Sequence, residues 1–339
     1  LEVLDGDYTV SASKDGYVSA SIDVTVEGGN VSAEDIVLYS ASAFETETLS
    51  TADMDVKVAK DFPSIVQYEM KKGDLKDKIF YGQVERLMNI KINGTNIRVN
   101  KEDVTSTFTD TKAVYEMALK AENIDCVITA EISVKDNTAS FDITNVENNL
   151  KDTLDANGYQ LYPVQTIEIP NHSLISVNSG QQNAHLKGAK MSTNTRISGD
   201  KDFDVTKGMK LSNNAATEDF MYGFISNNEM SAGLWSNSEH EGTHVAAYVS
   251  PGASCNTRVI ATATDKEDVT TLGLASAMWY YDRRVETDVV VDRVTENGQN
   301  KNTVEKRTYV VEHEIMPSAK VAIAGDDNED GDIDWQDGA

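Results

Sequence analysis

The segment IDCVITAEISVKDNTASFDIT, residues 124–144, decides the fold. Ile124, Cys126, Ile128, Ala130, Ile132 and Val134 fall at every second position, and after Asp136-Asn137 the alternation resumes with Ala139, Phe141 and Ile143. A period of two puts apolar side chains on one face of an extended chain, and a short polar turn between two such runs reverses its direction. The segment therefore reads as a hairpin of two half-buried antiparallel strands, Ile124 to Val134 and Thr138 to Thr144. The same pattern extends outward on both sides. Val56 to Ala59, Ser64 to Met70, Lys78 to Gln83 and Ala113 to Leu119 alternate in this way, as do Met88 to Ile92 and Asn96 to Val99 about an Asn93-Gly94 turn. Downstream, Glu286 to Val294 and Thr303 to Ile315 flank a turn at Glu296-Asn297-Gly298. Helical periodicity is nearly absent; a turn or two over Val146 to Leu154 is the best candidate. So many strands without intervening helices exclude a parallel α/β sheet and predict an all-β fold, a large antiparallel sandwich from Met54 to about Met316.

Upstream, Asp7 to Ser13, a turn at Lys14-Asp15-Gly16, Tyr17 to Val26, Gly28-Gly29-Asn30 and a closing strand to Leu38 read as a separate small β unit. The Ser-, Ala- and Thr-rich stretch from about Tyr39 to Thr51 reads as a linker. The expected division is thus residues 1–40 for the small unit, 41–51 for the linker, 52–318 for the sandwich and 319–339 for the tail. The first residue is Leu1, so the natural N-terminus is expected upstream.

Thirty basic against 56 acidic residues give a formal net charge of -26, which would repel a polyanionic nucleic acid. The charges are dispersed among apolar positions, which argues against disorder. The two cysteines, Cys126 and Cys255, have no metal-binding spacing and leave the redox compartment open. No apolar run approaches the roughly 18 residues that span a bilayer, so no membrane span is expected.

The tail carries the fullest chemical specification. Read as a twelve-position loop, it puts Asp326, Asn328 and Asp330 at positions 1, 3 and 5, Gly331 at 6, Asp332 at 7, Ile333 at 8 and Asp337 at 12. The side chains at 1, 3 and 5 converge as the backbone curls, Gly331 allows the sharp turn, and the Asp332 carbonyl with the Asp337 carboxylate closes the far side. All the donors are oxygen, which selects a hard cation, and calcium is the expected cofactor. The plain alternative is a solvated acidic terminus. Position 12 is Asp rather than the longer Glu, and Ala339 ends the chain where an exit helix would begin, so a junction is expected there.

Other motifs point less clearly to chemistry. His240-Glu241-Gly242-Thr243-His244 matches the zinc-protease pattern H-E-x-x-H, but that motif needs a helix. Gly242, Thr243 and the run Val245 to Val249 favour a strand, where positions four apart lie roughly 13 Å from each other. Glu239 and Glu241 read as solvated loop residues rather than an acid and base pair. His172, after Pro170, reads as a hydrogen-bonded structural residue rather than a catalytic one. Trp235, Trp279 and Tyr281, with Tyr280, could form a sugar-stacking platform, although aromatic residues of a sandwich more often fill its core.

Several strings together resemble one family. They are KDFPSIVQYEM (Lys60 to Met70), NGTNI (Asn93 to Ile97), IPNHSLISVNSGQQNAHLKGAKMSTNTRISGD (Ile169 to Asp200), YGFISNNEMSAGLWSNSEHEGTHVAAYV (Tyr222 to Val249), NTRVIATAT (Asn256 to Thr264), Thr271 to Ala277 with Trp279-Tyr280-Tyr281, and VAIAGDDNEDGDIDWQDGA (Val321 to Ala339). They resemble the endo-α-N-acetylgalactosaminidases of glycoside hydrolase family 101, from near Asp53 to the end. The resemblance implies a galactose-mutarotase-like β-supersandwich preceding a catalytic (β/α)8 barrel, with the calcium ligands Asp326, Asn328, Asp330, Asp332 and Asp337 where the barrel begins. It also implies a secreted or cell-wall-attached bacterial enzyme that releases Gal-β-1,3-GalNAc from Ser or Thr of mucin-type O-glycoproteins with retention. The implied aspartate nucleophile and glutamate acid/base belong to barrel strands beyond Ala339, so no catalytic residue maps onto this chain and the fragment is expected to be inactive alone. The alternative expectation is a carbohydrate-binding module that grips mucin glycans through Trp235, Trp279 and Tyr281. Residues 1–40 resemble the closing half of a carboxypeptidase-regulatory-like, prealbumin-like β-sandwich.

Overall fold

The computed structural model describes residues 3–12, 17–18, 20–32, 39–40, 45–156, 158–189, 201–209, 211, 217–220, 222–238, 259–266, 269–276, 278–281, 283–311 and 316–325. The 124–144 segment folds as its alternation demands. Ile124–Lys135 and Thr138–Asn148 pair antiparallel with Lys135 opposite Thr138, and Asp136 takes a left-handed φ of 52° in the turn. Along Ile124–Lys135 the even-numbered residues are buried down to Val134, while the odd-numbered ones stay partly accessible.

This hairpin forms two neighbouring strands of a nine-stranded antiparallel sheet. In spatial order its strands are Val104–Phe108, Lys112–Ala121, Ile124–Lys135, Thr138–Asn148, Ser318–Ala324, Ser231–Ser236, Tyr222–Ser226, His185–Ala189 and Lys201–Asp204. An eight-stranded sheet runs Thr217–Phe220, Val259–Lys266, Val269–Ser276, Ile175–Asn178, Ile79–Tyr81, Ile65–Met70, Met54–Ala59 and Thr46–Ser50. The two sheets face each other across one continuous core, which includes Phe80, Met117, Phe141, Ile175, Leu234 and Leu274. Glycine sets how closely they approach. A Cβ at Gly223 would stand 2.7 Å from the Leu274 side chain, and one at Gly188 would fall within the Phe220 ring. The Tyr115 hydroxyl bonds the Ala59 carbonyl at 2.7 Å, tying one sheet to the other, and burial raises its pKa. Burial also pushes the Cys126 thiol up to about 12, with the Asp125 charge adding to it, so this cysteine packs as an inert hydrophobe.

A four-stranded sheet of Thr95–Arg98, Asn89–Ile92, Thr166–Glu168 and Trp279–Tyr280 adds Ile90, Ile92, Ile97, Ile167 and Trp279 to the same core. Its Asn93-Gly94 turn has φ values of 51° and 78°, as a two-residue hairpin turn requires. Arg283–Glu296 and Gln299–Val311 form the expected long hairpin about Asn297-Gly298 and pair only with each other among the described strands.

Three expectations need correction. Thr46–Ser50 is an edge strand of the eight-stranded sheet with Leu49 fully buried, so the expected linker ends before it. The composition there is polar because an edge strand buries few of its side chains. Ser318–Ala324 is a central strand with Ala319, Val321 and Ile323 buried, so a boundary at 318 would cut through the sandwich. Val146 to Leu154 is not helical: the strand runs to Asn148, turns follow, and Leu154 is exposed in an isolated bridge to Gln160. The four-residue spacing of Val146, Leu150 and Leu154 imitates a helix face, yet Val146 is core and Leu154 is not. At the N-terminus Gly6–Ala12 pairs with Ala20–Val26, and Tyr17–Val18 with Tyr39–Ser40. The expected closing strand up to Leu38 lies outside the described residues.

Candidate functional site

A concavity among the described residues follows from a fault in the 124–144 hairpin. Thr129 pairs with Asn145 and Ala130 with Ile143, which leaves Thr144 as an extra residue on one strand. A bulge of this kind shifts the phase of the alternation. Phe141 and Ile143 point into the core, but beyond Thr144 it is Val146 that is buried, and Asn145 and Glu147 are exposed. The chain then leaves the sheet, and Asn148 holds the departing loop: its Nδ2 donates to the Tyr162 carbonyl at 2.8 Å and its Oδ1 accepts from the Leu150 N–H at 2.9 Å.

The opposite wall comes from the four-stranded sheet. In its tight turn, the Asn93 Oδ1 accepts from the N–H groups of Gln165 (2.7 Å) and Thr166 (3.1 Å), while Nδ2 donates to the Pro163 carbonyl (2.8 Å). The segment so fixed carries Val164, and its Gln165 carbonyl accepts the Tyr281 N–H at 2.7 Å. Between the walls lies a cleft of about 360 Å³. Asn145, Glu147 and Lys151 line it together with Gln160, Val164 and Tyr281, and Val146 and Asn148 complete the lining. Tyr281 is half-buried and packs against the core.

The three aromatic residues singled out from the sequence therefore part company. Tyr281 lines the cleft. Trp279 is fully buried, and its role as a sugar platform is corrected: its ring stacks on Phe141 at 6.1 Å, and its Nε1–H donates to Asn237 Oδ1 at 3.1 Å, leaving no face for a ligand. Asn237 Oδ1 also accepts from the Ser318 N–H at 2.8 Å, so the same residue pins the central strand. Trp235 projects from the nine-stranded sheet, 37% exposed, and is not among the residues lining the cleft.

His172 lies in the core with its ring edge-on to Phe141 at 5.0 Å, and neither ring nitrogen has a hydrogen-bond partner among the described residues. Burial pushes its pKa down to about 4; the Pro63 carbonyl, near the ring but too poorly placed for a hydrogen bond, opposes the shift. It is a structural histidine, but the expected hydrogen bonding is corrected: packing against Phe141 holds the ring in the core, not polar partners. His185 sits on the other sheet, with Nδ1 3.0 Å from Asp204 Oδ1 and Nε2 3.5 Å from Asp202 Oδ1. Asp326, Asn328, Asp330, Asp332 and Asp337, together with Glu239, His240, Glu241 and His244, lie outside the described residues. The described residues reach only the position before this tail: Gly325 follows the central strand Ser318–Ala324 and lies beside the Leu75 side chain.

The family model of the galactose mutarotase-like fold domain matches residues 49–335. A Renibacterium salmoninarum protein, provisionally named endo-alpha-N-acetylgalactosaminidase, is 24% identical over 293 residues. The match covers 86% of this chain and 17% of that protein, so the chain spans about a sixth of its curated relative. Among solved structures, the galactosidase domain of an alpha-galactosidase-sucrose kinase superposes with a TM-score of 0.35 at 9% identity, covering 85% of this chain and 41% of that one. A galactose mutarotase related enzyme from Lactobacillus acidophilus gives 0.36 at 5% identity, covering 82% of this chain and 97% of that one. The fold class read from the alternation thus stands, and by the extent of the domain match this chain belongs to the galactose mutarotase-like fold domain family.

Proposed function

We propose that this chain is the non-catalytic β-supersandwich of a retaining endo-α-N-acetylgalactosaminidase of glycoside hydrolase family 101, which releases Gal-β-1,3-GalNAc from Ser or Thr of mucin-type O-glycoproteins. The observation that carries the reading is the match to the Renibacterium salmoninarum protein along 86% of the chain. The interior supports it. The space between the two sheets is filled by packed hydrophobic side chains, His172 is sealed within them, and His185 is engaged by two aspartates on a sheet face. Neither histidine is placed to pair with a glutamate in a cleft, as aldose epimerisation would need, and a shared fold does not transmit that activity. The catalytic carboxylates then belong to a barrel in the same polypeptide, which is secreted or attached to the cell surface.

The tail fits calcium by its donor set, all oxygen with a glycine at the sharp turn, and Asp326, Asn328, Asp330, Asp332 and Asp337 would hold the ion. Bound there, it would supply a cross-link rather than chemistry, clasping the exit from the central strand Ser318–Ala324 to whatever follows. An aryl glycoside of Gal-β-1,3-GalNAc tests the non-catalytic role. This chain alone is expected to release no phenol, and measurable turnover would sink the reading.

A further inference from the structure

We infer that the cleft between the Thr144 bulge and Tyr281 is a binding site for a neutral saccharide of one or two rings. At about 360 Å³ it falls at the small end of ligand sites, which run from ~300 to ~1,000 Å³. Its chemistry selects the ligand. Glu147 and Lys151 carry opposite charges, so the cleft has no net field to draw an anion such as a phosphate. Val146, Val164 and Tyr281 give too little apolar wall for a hydrophobic ligand. What remains is a mixed set of donors and acceptors: the Glu147 carboxylate, the Lys151 ammonium and the Asn145 carboxamide. Hydroxyl groups, which both donate and accept, satisfy such a set, and Tyr281 offers an aromatic surface for a sugar ring.

The side chains of Asn145, Glu147 and Lys151 have no hydrogen bond or ion pair among the described residues, whereas the Asn148 amide holds the loop. The loop supplies a second, independent observation. Leu154, Tyr159 and Leu161 flank the cleft residue Gln160 and are 54%, 42% and 49% exposed. They are three of the ten large exposed apolar side chains among the described residues, four others lying in the N-terminal unit, and they put apolar surface on the loop that carries Gln160. An amphipathic rim of this kind suits a ligand with polar edges and apolar faces, as a pyranose has.

The general site stands on this chemistry, while its assignment to O-glycan sugar rests on the function proposed above. Backbone amide NMR of the full 339-residue chain separates the two. The probes are the methyl α-glycoside of Gal-β-1,3-GalNAc, galactose and maltose. Saturable shifts at Asn145, Glu147, Lys151, Gln160 and Tyr281 are expected with the disaccharide glycoside. Affinity should fall at least about tenfold in Tyr281→Ala and Asn145→Ala and hold in Trp235→Ala. Asn145→Ala and Glu147→Gln, both at exposed positions, serve if Tyr281→Ala fails to fold. No saturable shift with any of the three sugars overturns the cleft site and leaves the accessory role to its own assay. Binding that Asn145→Ala and Glu147→Gln leave intact also overturns it. Binding of maltose or galactose without the disaccharide upholds a saccharide site and overturns its O-glycan assignment.

Discussion

His172 should make the stability of the sandwich depend on pH in a window where few other groups act. In the unfolded chain its imidazole titrates near 6.5, and burial against Phe141 brings it down to about 4. Between those values the unfolded chain takes up a proton that the folded chain refuses. Its contribution is therefore fully present above the unfolded pKa and is lost as pH falls from 6.5 toward 4. At about 1.36 kcal/mol per unit, a difference of roughly 2.5 units amounts to about 3 kcal/mol, of which about 2 kcal/mol is gone near pH 5. Two background effects lie elsewhere. The net charge of -26 shrinks on acidification, which eases self-repulsion and acts in the opposite sense. At Asp55, burial is outweighed by the hydrogen bonds from Lys71 and Ser50, and its stabilising contribution fades only below the ordinary carboxylate value of 3.8. His172→Leu isolates the effect. It keeps a side chain of similar bulk, loses an edge-on aromatic contact worth ~0.5–1.5 kcal/mol, and removes two buried ring nitrogens whose lack of partners costs ~1–3 kcal/mol. Near pH 7.5 the variant should therefore lie within about 2 kcal/mol of the parent. Urea unfolding, followed by tryptophan fluorescence, should then show it gaining about 2 kcal/mol on the parent by pH 5. If the two stabilities run parallel between pH 7.5 and 4.5, His172 is not a buried neutral imidazole.

Two more outcomes follow from the packing and the tail. Gly188→Ala should cost ~1–3 kcal/mol or more, because its Cβ meets the rigid Phe220 ring, and Gly223→Ala should cost less, because Leu274 can rotate away. Urea midpoints measure both, and equal small losses would mean that the sheets do not approach as closely as the structure shows. For the loop, isothermal titration should show calcium binding that weakens by at least about tenfold in Asp330→Ala and in Asp326→Ala. Binding indifferent to both substitutions would remove these residues as ligands.

The parts of the fold that were legible in the sequence are local. The 124–144 hairpin, Asn93-Gly94 and Asn297-Gly298 were readable because alternation and turn chemistry are properties of neighbouring residues. The order of strands was not. Ser318–Ala324 slots between Thr138–Asn148 and Ser231–Ser236, and no periodicity in any one segment names so distant a partner. That is why its first residues read as the start of something new. The aromatic cluster failed for a related reason. Trp279 and Tyr281 share a parity and by alternation should share a face, yet the strand ends at Tyr280, so one fills the core and the other turns onto the cleft.

The cleft was the least legible feature because it rests on an exception to the rule that revealed the fold. Strict alternation past Ile143 would have turned Asn145 and Glu147 inward, where neither an amide nor a carboxylate has a partner. Thr144 absorbs that conflict as a bulge, keeps Val146 in the core, and turns the two polar side chains outward opposite Tyr281. The sequence did carry the signal, as a slip of one residue between the spacings 139, 141, 143 and 146. A slip of that size also reads as a helix start, which is how Val146 to Leu154 came to be expected as one. Only the pairing of Thr129 with Asn145 and of Ala130 with Ile143 tells the two apart, and that pairing is set by the partner strand. A polar pair displaced by a bulge onto one side of a cleft, facing an aromatic wall that another sheet fixes through Asn93, is better explained by a ligand than by folding. Folding alone would have been served as well by two more apolar residues in phase.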